Sequence, residues 1–512
     1  WRTAALSGRI SREPEHMGAF KLLMNMEDDI LQLFRNIEEQ HTSSRKVFRD
    51  NQRSASYKYV RTDSYGEQTT KVKDVYRLLK SRKDRPFPNI SKEEYYRRLS
   101  ELKDVFIEEM GQIFNDDIKA IKYFSIKGKI LRVNNTNKFL NLLAKEKRLN
   151  TRASIIAVTG SSGKTSVKEI LGKYLKTFGN TYYSPRSFNN HYGVPISICN
   201  LENSHKFGIF EIGMSNSGEI NELAKIVKPH VGIITNIAEA HIENFKNLDG
   251  IARAKGEIIN NISKNGFLII DRDGKYFNYF QKIAKKKGIS IISFGFSKKA
   301  NIHIMKIKSL KKYKKITVKV YDKKYDLLIN KGHIKNILIL ISVLKALSLD
   351  INKIQKEIKN IKILEGRGKI NRIKFKNIWF NLIDESYNAN PLSMRESINN
   401  FSKIKISKTS KYLLLGDMLE LGKKTNELHK SLTPYVNSSD IKKLFIHGDK
   451  MMKMYKNIKK NKRGNILQHK SDIKDTILPI IQNNDYLMIK GSNATGLYKI
   501  SNNLIKGKYN AF

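Results

Sequence analysis

The sequence predicts an α/β protein: a central doubly wound sheet built on a phosphate-binding loop, then a second α/β domain, with a mostly helical region in front. Three observations predict it. An apolar run, Ser154-Ile155-Ile156-Ala157, leads into Val158-Thr159-Gly160-Ser161-Ser162-Gly163-Lys164-Thr165-Ser166, and a helical stretch (Val167–Phe178) follows. Strand-like and helical segments then alternate, the pattern of a parallel sheet. A second such alternation begins after Gly366-Arg367-Gly368.

The strand–glycine turn–helix is a phosphate cradle. Gly160 and Gly163 let the backbone turn its N–H groups toward phosphate oxygens, and the helix N-terminus adds positive potential. Lys164 is placed to reach the terminal phosphates and the Thr165 hydroxyl to hold Mg²⁺. Only two residues separate the glycines, where the common form has four.

Downstream, Phe207–Ile212, Val231–Asn236, Gly266–Asp271 and Ile289–Phe294 read as parallel strands. Lys306–Asn330 alternates Ile, Val and Tyr with Lys, as antiparallel strands do, and Ile334–Leu347 reads as a helix. In the second domain Trp379–Asp384, Tyr412–Gly416, Leu444–His447 and Tyr486–Lys490 are strand-like. Helices fit at Leu392–Phe401, Asn426–Val436 and Ile473–Ile481. Ahead of the loop, Ile130–Val133 reads as a strand and Asn137–Lys147 as an amphipathic helix. The first 100 residues differ in kind: they hold 13 of the 23 arginines but four isoleucines, with helical stretches at 19–39 and 92–114. The expected organisation is an atypical N-terminal region (1–115), the remnant of a substrate-binding domain with its linker (116–150), a central phosphate-loop domain (151–362) and a C-terminal domain (363–512).

A chain of 512 residues, 40% hydrophobic, has room for about three domains. The single cysteine, Cys199, rules out a disulfide framework and a Cys-based zinc site, and it suits a reducing compartment. No apolar run is long enough to span a membrane: the longest candidate, Ile334–Leu349, is interrupted by Lys335, Asn336, Ser342 and Lys345. The net charge of +48 invites a nucleic-acid reading. The lysines are spread through every segment and lack interleaved aromatic platforms, so no nucleic-acid partner is expected.

Other residues are candidates for chemistry. Glu211 ends a predicted strand, and in open α/β sheets strand ends line the ligand crevice. A carboxylate beside a phosphate loop is a natural Mg²⁺ ligand, although a surface Glu is the plainer alternative. His241 lies just past Thr235-Asn236 at the next strand end, on the side where Thr165 and Glu211 converge. Lys255 does not stand out by spacing from the many other lysines. Asp384-Glu385-Ser386-Tyr387-Asn388-Ala389-Asn390-Pro391 passes from strand end to helix, as either a ligand site or an elaborate helix cap.

Together these stretches resemble the Mur ligases, ATP-dependent amide-forming enzymes of peptidoglycan synthesis. The compact loop is similar to that family's phosphate loop. Further similarity lies in Ser187-Phe188-Asn189-Asn190-His191-Tyr192-Gly193-Val194-Pro195, in Glu211-Ile212-Gly213-Met214 with Ser217-Gly218-Glu219-Ile220, in Asp384 to Pro391, in Gly416-Asp417-Met418-Leu419-Glu420-Leu421-Gly422 with His429, and in Lys490-Gly491-Ser492. The resemblance covers about residues 130–512 and is greatest to members that add D-alanyl-D-alanine.

The resemblance implies a phosphate-loop domain followed by a Rossmann-like C-terminal domain. It implies a monomeric, cytoplasmic enzyme joining D-alanyl-D-alanine to UDP-N-acetylmuramoyl-tripeptide through an acyl phosphate. ATP contacts are implied at Gly160, Ser161, Ser162, Gly163, Lys164, Thr165 and Ser166, at Asn336 for adenine, and at Arg367, Asp384 and Tyr387. Thr165 and Glu211 look like ligands of one Mg²⁺ and His241 of a second, with Lys255 matching a lysine that carries a carbamate. Lys164, His241 and Lys255 are the implied catalytic residues. Ser187, Asn189, Asn190, Asn388 and Asn390 are implied on the substrate side. Two positions depart from the family text: Glu385 stands where Asp is expected, and Asn493 where Arg is usual. The family's glycine-rich N-terminal text is not recognisable before Ile130. Another Mur-type or folylpolyglutamate-type ligase is an alternative; from another class, so is a basic nucleic-acid-stimulated ATPase.

Overall fold

The computed structural model describes residues 135–508 except 311–312, 331–333, 362–363 and 405–408. The expected strand Ile130–Val133 and the helical stretches at 19–39 and 92–114 lie outside them. The described residues fall into two compact units. The first holds the helix Thr136–Asn150 and the segment 191–200; the second holds Thr151–Asn190 and the chain from Leu201 on. In the first unit the Asn137 amide donates to the Tyr192 hydroxyl at 3.2 Å, and the helix Gly193–Cys199 is buried from Gly193 to Ile198.

The second unit is built on two sheets. The larger contains β1 (Ser154–Thr159), β2 (Thr181–Tyr183), β3 (Phe207–Glu211), β4 (Val231–Ile234), β5 (Phe267–Asp271), β6 (Ser290–Gly295), β7 (Ile302–Ser309), β8 (Tyr313–Val320) and β9 (Lys323–Asn330). Their order is β2-β3-β1-β4-β5-β6-β7-β8-β9. Strands β1 to β6 run parallel, and β3 and β4 are buried along their whole length, which is why they read as unbroken apolar runs. The β7-β8-β9 meander is antiparallel, as its alternating Lys and Ile predicted. The helix Ile334–Ala346 is buried from Ile337 to Leu344 and joins Ile156, Val158, Leu171 and Ile233 in one core. A helix that is apolar nearly all round belongs inside. No described helix is long and apolar enough to cross a membrane.

The smaller sheet contains β10 (Lys369–Phe375), β11 (Ile378–Glu385), β12 (Lys411–Gly416), β13 (Lys443–His447), β14 (Arg463–Leu467) and β15 (Tyr486–Lys490), in the order β10-β11-β15-β12-β13-β14. Only β10 is antiparallel to its neighbour. Phe380, Leu382, Tyr412, Leu414, Phe445 and Ile489 form a separate core.

Some local expectations are revised. The single helix expected over Asn426–Val436 is two, Thr425–Lys430 and Thr433–Ser438, because Pro434 fits only the first turn of a new helix. The helix expected over Ile473–Ile481 stops at Thr476 and gives way to a 3₁₀ turn, Leu478–Ile480, at Pro479. Strands β2, β10 and β14 were not anticipated. β2 is three residues long, while β10 and β14 are edge strands with polar residues.

The sheet order creates the crevice. The chain leaves β1 toward β2 and β3 on one side, then returns to β4 on the other. This is a topological switch point, and the carboxyl ends of β1, β3 and β4 open onto it.

Candidate active site

The loop after β1 is held from behind by the end of β4. Gly160 has φ 145°, and a methyl group there would sit 1.9 Å from Thr235 Oγ1, so only glycine fits. Thr235 Oγ1 donates to the Ser162 carbonyl at 2.6 Å. The Ser162 N–H donates to Asn236 Oδ1 at 2.9 Å, and Asn236 Nδ2 donates to Ser162 Oγ at 3.0 Å. Ser161 Oγ donates to the Ala238 carbonyl at 2.9 Å and accepts from the Ala238 N–H at 2.8 Å. Both serine hydroxyls thus brace the loop. Gly163, at φ 82°, turns the chain into the helix Lys164–Leu175. The N–H groups of that helix's first turn, Ser166 included, have no intrahelical partner and are available to an anion. Lys164 Nζ donates to the Gly160 carbonyl at 2.8 Å, folding the side chain over the cradle. Asn336 flanks the loop, its Oδ1 4.0 Å from where a Gly163 Cβ would lie.

On the β3 side, Thr165 Oγ1 donates to Glu211 Oε2 at 2.7 Å and Asn189 Nδ2 donates to Glu211 Oε1 at 2.7 Å. Glu211 is 1% exposed, so this is no surface glutamate. The hydroxyl and the carboxylate fit Mg²⁺. Two neighbouring ligands of an octahedral ion at 2.0–2.1 Å stand about 2.9 Å apart, close to the separation here. Among the described residues no cluster of three or more His, Cys, Asp or Glu could hold a metal.

Lys255, on the helix Leu248–Gly256, is buried. Burial, with Lys164 nearby, pushes its amine well below the ordinary lysine value. Carbamate formation needs such a neutral amine. Burial also lowers Lys164; Glu211 opposes this, Arg367 adds to it, and Glu420 opposes it. His241 lies past β4 with φ 55°, its Nδ1 2.7 Å from Glu420 Oε2. A carboxylate on one ring nitrogen is the usual support for a histidine that binds metal through the other, so His241 also fits.

The opposing wall comes from the smaller sheet. Asp384 ends β11 with both oxygens engaged: Oδ2 accepts from the Gly366 N–H at 2.9 Å, and Oδ1 from the Ser386 N–H at 3.2 Å and hydroxyl at 2.6 Å. It thereby fixes the turn carrying Arg367. The Arg367 guanidinium lies 4.2 Å from the centre of the Tyr387 ring, and the Tyr387 hydroxyl is hydrogen-bonded to Ser187 Oγ across the crevice. Asn390 caps the helix Pro391–Ser402: its Oδ1 accepts from the Ser393 N–H at 2.9 Å, while its Nδ2 reaches the Ser161 carbonyl at 3.5 Å. Asn388 Oδ1 accepts from the Ala389 N–H at 2.8 Å, and the Asn388 carbonyl accepts from the buried Lys490 at 3.1 Å. Lys490 is also 3.4 Å from Glu385.

Residues 158–344 match the family model of the Mur ligase middle domain, and residues 371–493 that of the Mur ligase, glutamate ligase domain. The chain belongs to the Mur ligase family. The UDP-N-acetylmuramoyl-tripeptide--D-alanyl-D-alanine ligase of Rickettsia prowazekii is 33% identical over 379 residues, 73% of this chain and 83% of the relative. The enzyme of that name from Bacillus subtilis is 26% identical over 387 residues, 74% of this chain and 81% of the relative. In fold, the chain is similar to a crystal structure of MurF from Acinetobacter baumannii: TM-score 0.67, 24% identity, 76% of this chain and 87% of that one.

Within this Mur ligase the structure gathers Lys164, Thr165, Glu211, Lys255, His241, Arg367, Tyr387, Ser187 and Asn336 around one crevice. Asn189 stands behind Glu211, Asn190 follows it in the chain, and Asp384 acts on the Arg367 turn. Asn390 caps its helix and also reaches the phosphate loop at Ser161, while the Asn388 side chain bonds the N–H of the next residue. Sequence reasoning missed Lys168, a fully buried lysine whose ammonium donates to the Ser184 and Arg186 carbonyls and so sets the path of the segment bearing Ser187 and Asn189. It also assigned no role to Arg395, which pairs with Glu239 at 3.2 Å, or to Glu420. In so lysine-rich a chain nothing marks Lys168; Glu420 was visible only as part of a longer motif.

Proposed function

We propose that this Mur ligase joins D-alanyl-D-alanine to UDP-N-acetylmuramoyl-tripeptide at the expense of ATP, in the cytoplasm, making a peptidoglycan precursor. The observation that carries the reading is the buried Thr165–Glu211 pair beside the phosphate loop, faced by Arg367 and Tyr387 from the other sheet. A relative of known fold, MurF from Thermotoga maritima, was solved with ADP; it is 22% identical with TM-score 0.66, over 78% of this chain and 92% of that one. We assign nucleotide binding to residues 151–362 and the closing wall to 363–512. Residues 116–150 are read as the end of a substrate-binding domain that residues 1–115 do not resemble.

A carboxylate is a poor electrophile. Moving the γ-phosphoryl group of ATP onto the tripeptide's carboxylate gives an acyl phosphate and ADP. The dipeptide amine then attacks the acyl carbon, and phosphate leaves. The residues' task is to hold crowded oxygens together and cancel their charge. The first-turn N–H groups and Lys164 face the phosphates. Arg367, stacked on Tyr387, brings a second positive charge from the opposite side. Asn336 flanks the loop where a base would lie. Thr165 and Glu211 would hold Mg²⁺, with His241 and a carbamate on Lys255 at a second ion; these ions supply further charge neutralisation. Ser187, Asn189 and Asn190 lie on the side assigned to the muramoyl peptide. The test is ADP release by the full chain. It should require both D-alanyl-D-alanine and UDP-N-acetylmuramoyl-tripeptide; release indifferent to either sinks the reading.

A further inference from the structure

The histidine assigned to the metal side does not stand alone. His241 Nδ1 is 2.7 Å from Glu420 Oε2, and Glu420 lies beyond β12 on the other sheet's loop. Side-chain exposure is 29% for His241 and 51% for Glu420, so a chance surface pair is the plain alternative. The backbone argues against chance. His241 and Glu420 both adopt left-handed conformations, with φ 55° and 60°, which non-glycine residues hold only when their surroundings over-determine them. The Glu243 N–H donates to the Glu420 carbonyl at 3.4 Å, so the main chains also meet. Gly422 sits at φ 52°, and a Cβ there would lie 2.6 Å from Glu243 Cβ. A side chain at 422 would force the loops apart. Two strained residues, a main-chain bond and an obligatory glycine meet at one contact.

That contact has a chemical consequence. With Nδ1 held by a carboxylate, the imidazole keeps its proton on Nδ1 and its lone pair on Nε2. We propose that Glu420 is a positioning residue for His241: the smaller sheet's domain supplies the carboxylate that orients the ring, so the site on the His241 side is complete only while the two domains are closed. The inference rests on the ATP-binding reading above and deepens it. It joins domain closure to the geometry of one side chain, a link absent from either domain alone. A second closing contact, Arg395–Glu239, lies on the helix Pro391–Ser402 and provides a control.

The test uses the full chain, a non-hydrolysable ATP analogue and Mn²⁺ as a paramagnetic substitute for Mg²⁺. Bound Mn²⁺ and its coupling to a directly attached nitrogen are read by electron paramagnetic resonance. Glu420→Ala should weaken nucleotide-dependent Mn²⁺ binding about tenfold and reduce the nitrogen coupling. Glu420→Gln, whose amide oxygen still accepts from Nδ1–H, should recover most of both. Arg395→Ala, which loosens closure but leaves the Glu420 carboxylate in place, should lower Mn²⁺ affinity without reducing the nitrogen coupling of the ion that binds. Overturning outcomes are unchanged affinity and coupling in Glu420→Ala, or equal losses in Glu420→Ala, Glu420→Gln and Arg395→Ala. If the unmodified protein binds no Mn²⁺ with the nucleotide, the ATP reading fails and this inference with it.

Discussion

Lys164 and Gly160 show how much one residue carries at this site. Lys164 is the cation nearest the cradle, so Lys164→Met removes charge compensation needed as the phosphoryl group transfers. We expect a fall in kcat on the order of 10²–10³, measured as substrate-dependent ADP release, with the fold kept by circular dichroism. Gly160→Ala acts differently. The methyl group would lie 1.9 Å from Thr235 Oγ1 in a conformation that alanine resists. Strain of about 1–3 kcal/mol, if released only by opening the loop, translates into roughly five- to 150-fold weaker ATP binding, which titration of a fluorescent analogue would read. Both residues were legible in the sequence because the motif is local. The 2.7 Å contact of Thr165 with Glu211, 46 residues away, was only suggested by the strand-end rule; burial of the carboxylate supports the metal reading over a surface one.

Between residue and domain, the loop after β12 has its own chemistry. His429 is buried, accepts from the Met418 N–H through Nε2 at 3.1 Å, and bonds the Thr425 carbonyl through Nδ1 at 2.7 Å. Burial pushes its pKa below the ordinary value of 6.5. Between the lowered folded value and 6.5 the unfolded chain binds a proton that the folded chain refuses. Stability therefore rises with pH through that window and is lost on acidification. Melting temperature should fall below about pH 6.5, and His429→Gln should show a shallower fall; equal slopes would remove His429 from the account. Elements of this kind were partly readable. Strands β3, β4, β5, β12 and β15 stood out because both faces are buried. Edge strands β10 and β14 did not, because their polar residues weaken the apolar signal. The broken helix at Pro434 was foreseeable from proline's missing N–H alone.

At the scale of the whole molecule, two sheets with separate cores close on one crevice through Arg395–Glu239, Ser187–Tyr387 and His241–Glu420. Reversing Arg395→Glu should raise the KM for ATP severalfold by replacing an attraction with a repulsion. The double exchange Arg395→Glu with Glu239→Arg should restore part of the loss, a coupling on the order of 1 kcal/mol in a double-mutant cycle. Equal KM values for single and double variants would argue that the pair does not hold the closed form. The net charge of +48 belongs to this scale too. If the field of the whole chain draws in its polyanionic substrates, kcat/KM should fall as ionic strength rises while kcat stays nearly constant.

By itself the sequence determined what is local: the glycine-bounded phosphate cradle, the lysine and hydroxyl after it, and the alternation of strand and helix. These depend on neighbouring residues, whose backbone freedom and burial period are written along the chain. The tertiary structure decided which strand ends became neighbours. The order β2-β3-β1-β4 set Glu211 against Thr165, and closure of the smaller sheet's domain brought Arg367 over the crevice and Glu420 to His241. Those pairings depend on how separate segments bury their faces, and no window along the chain contains both partners.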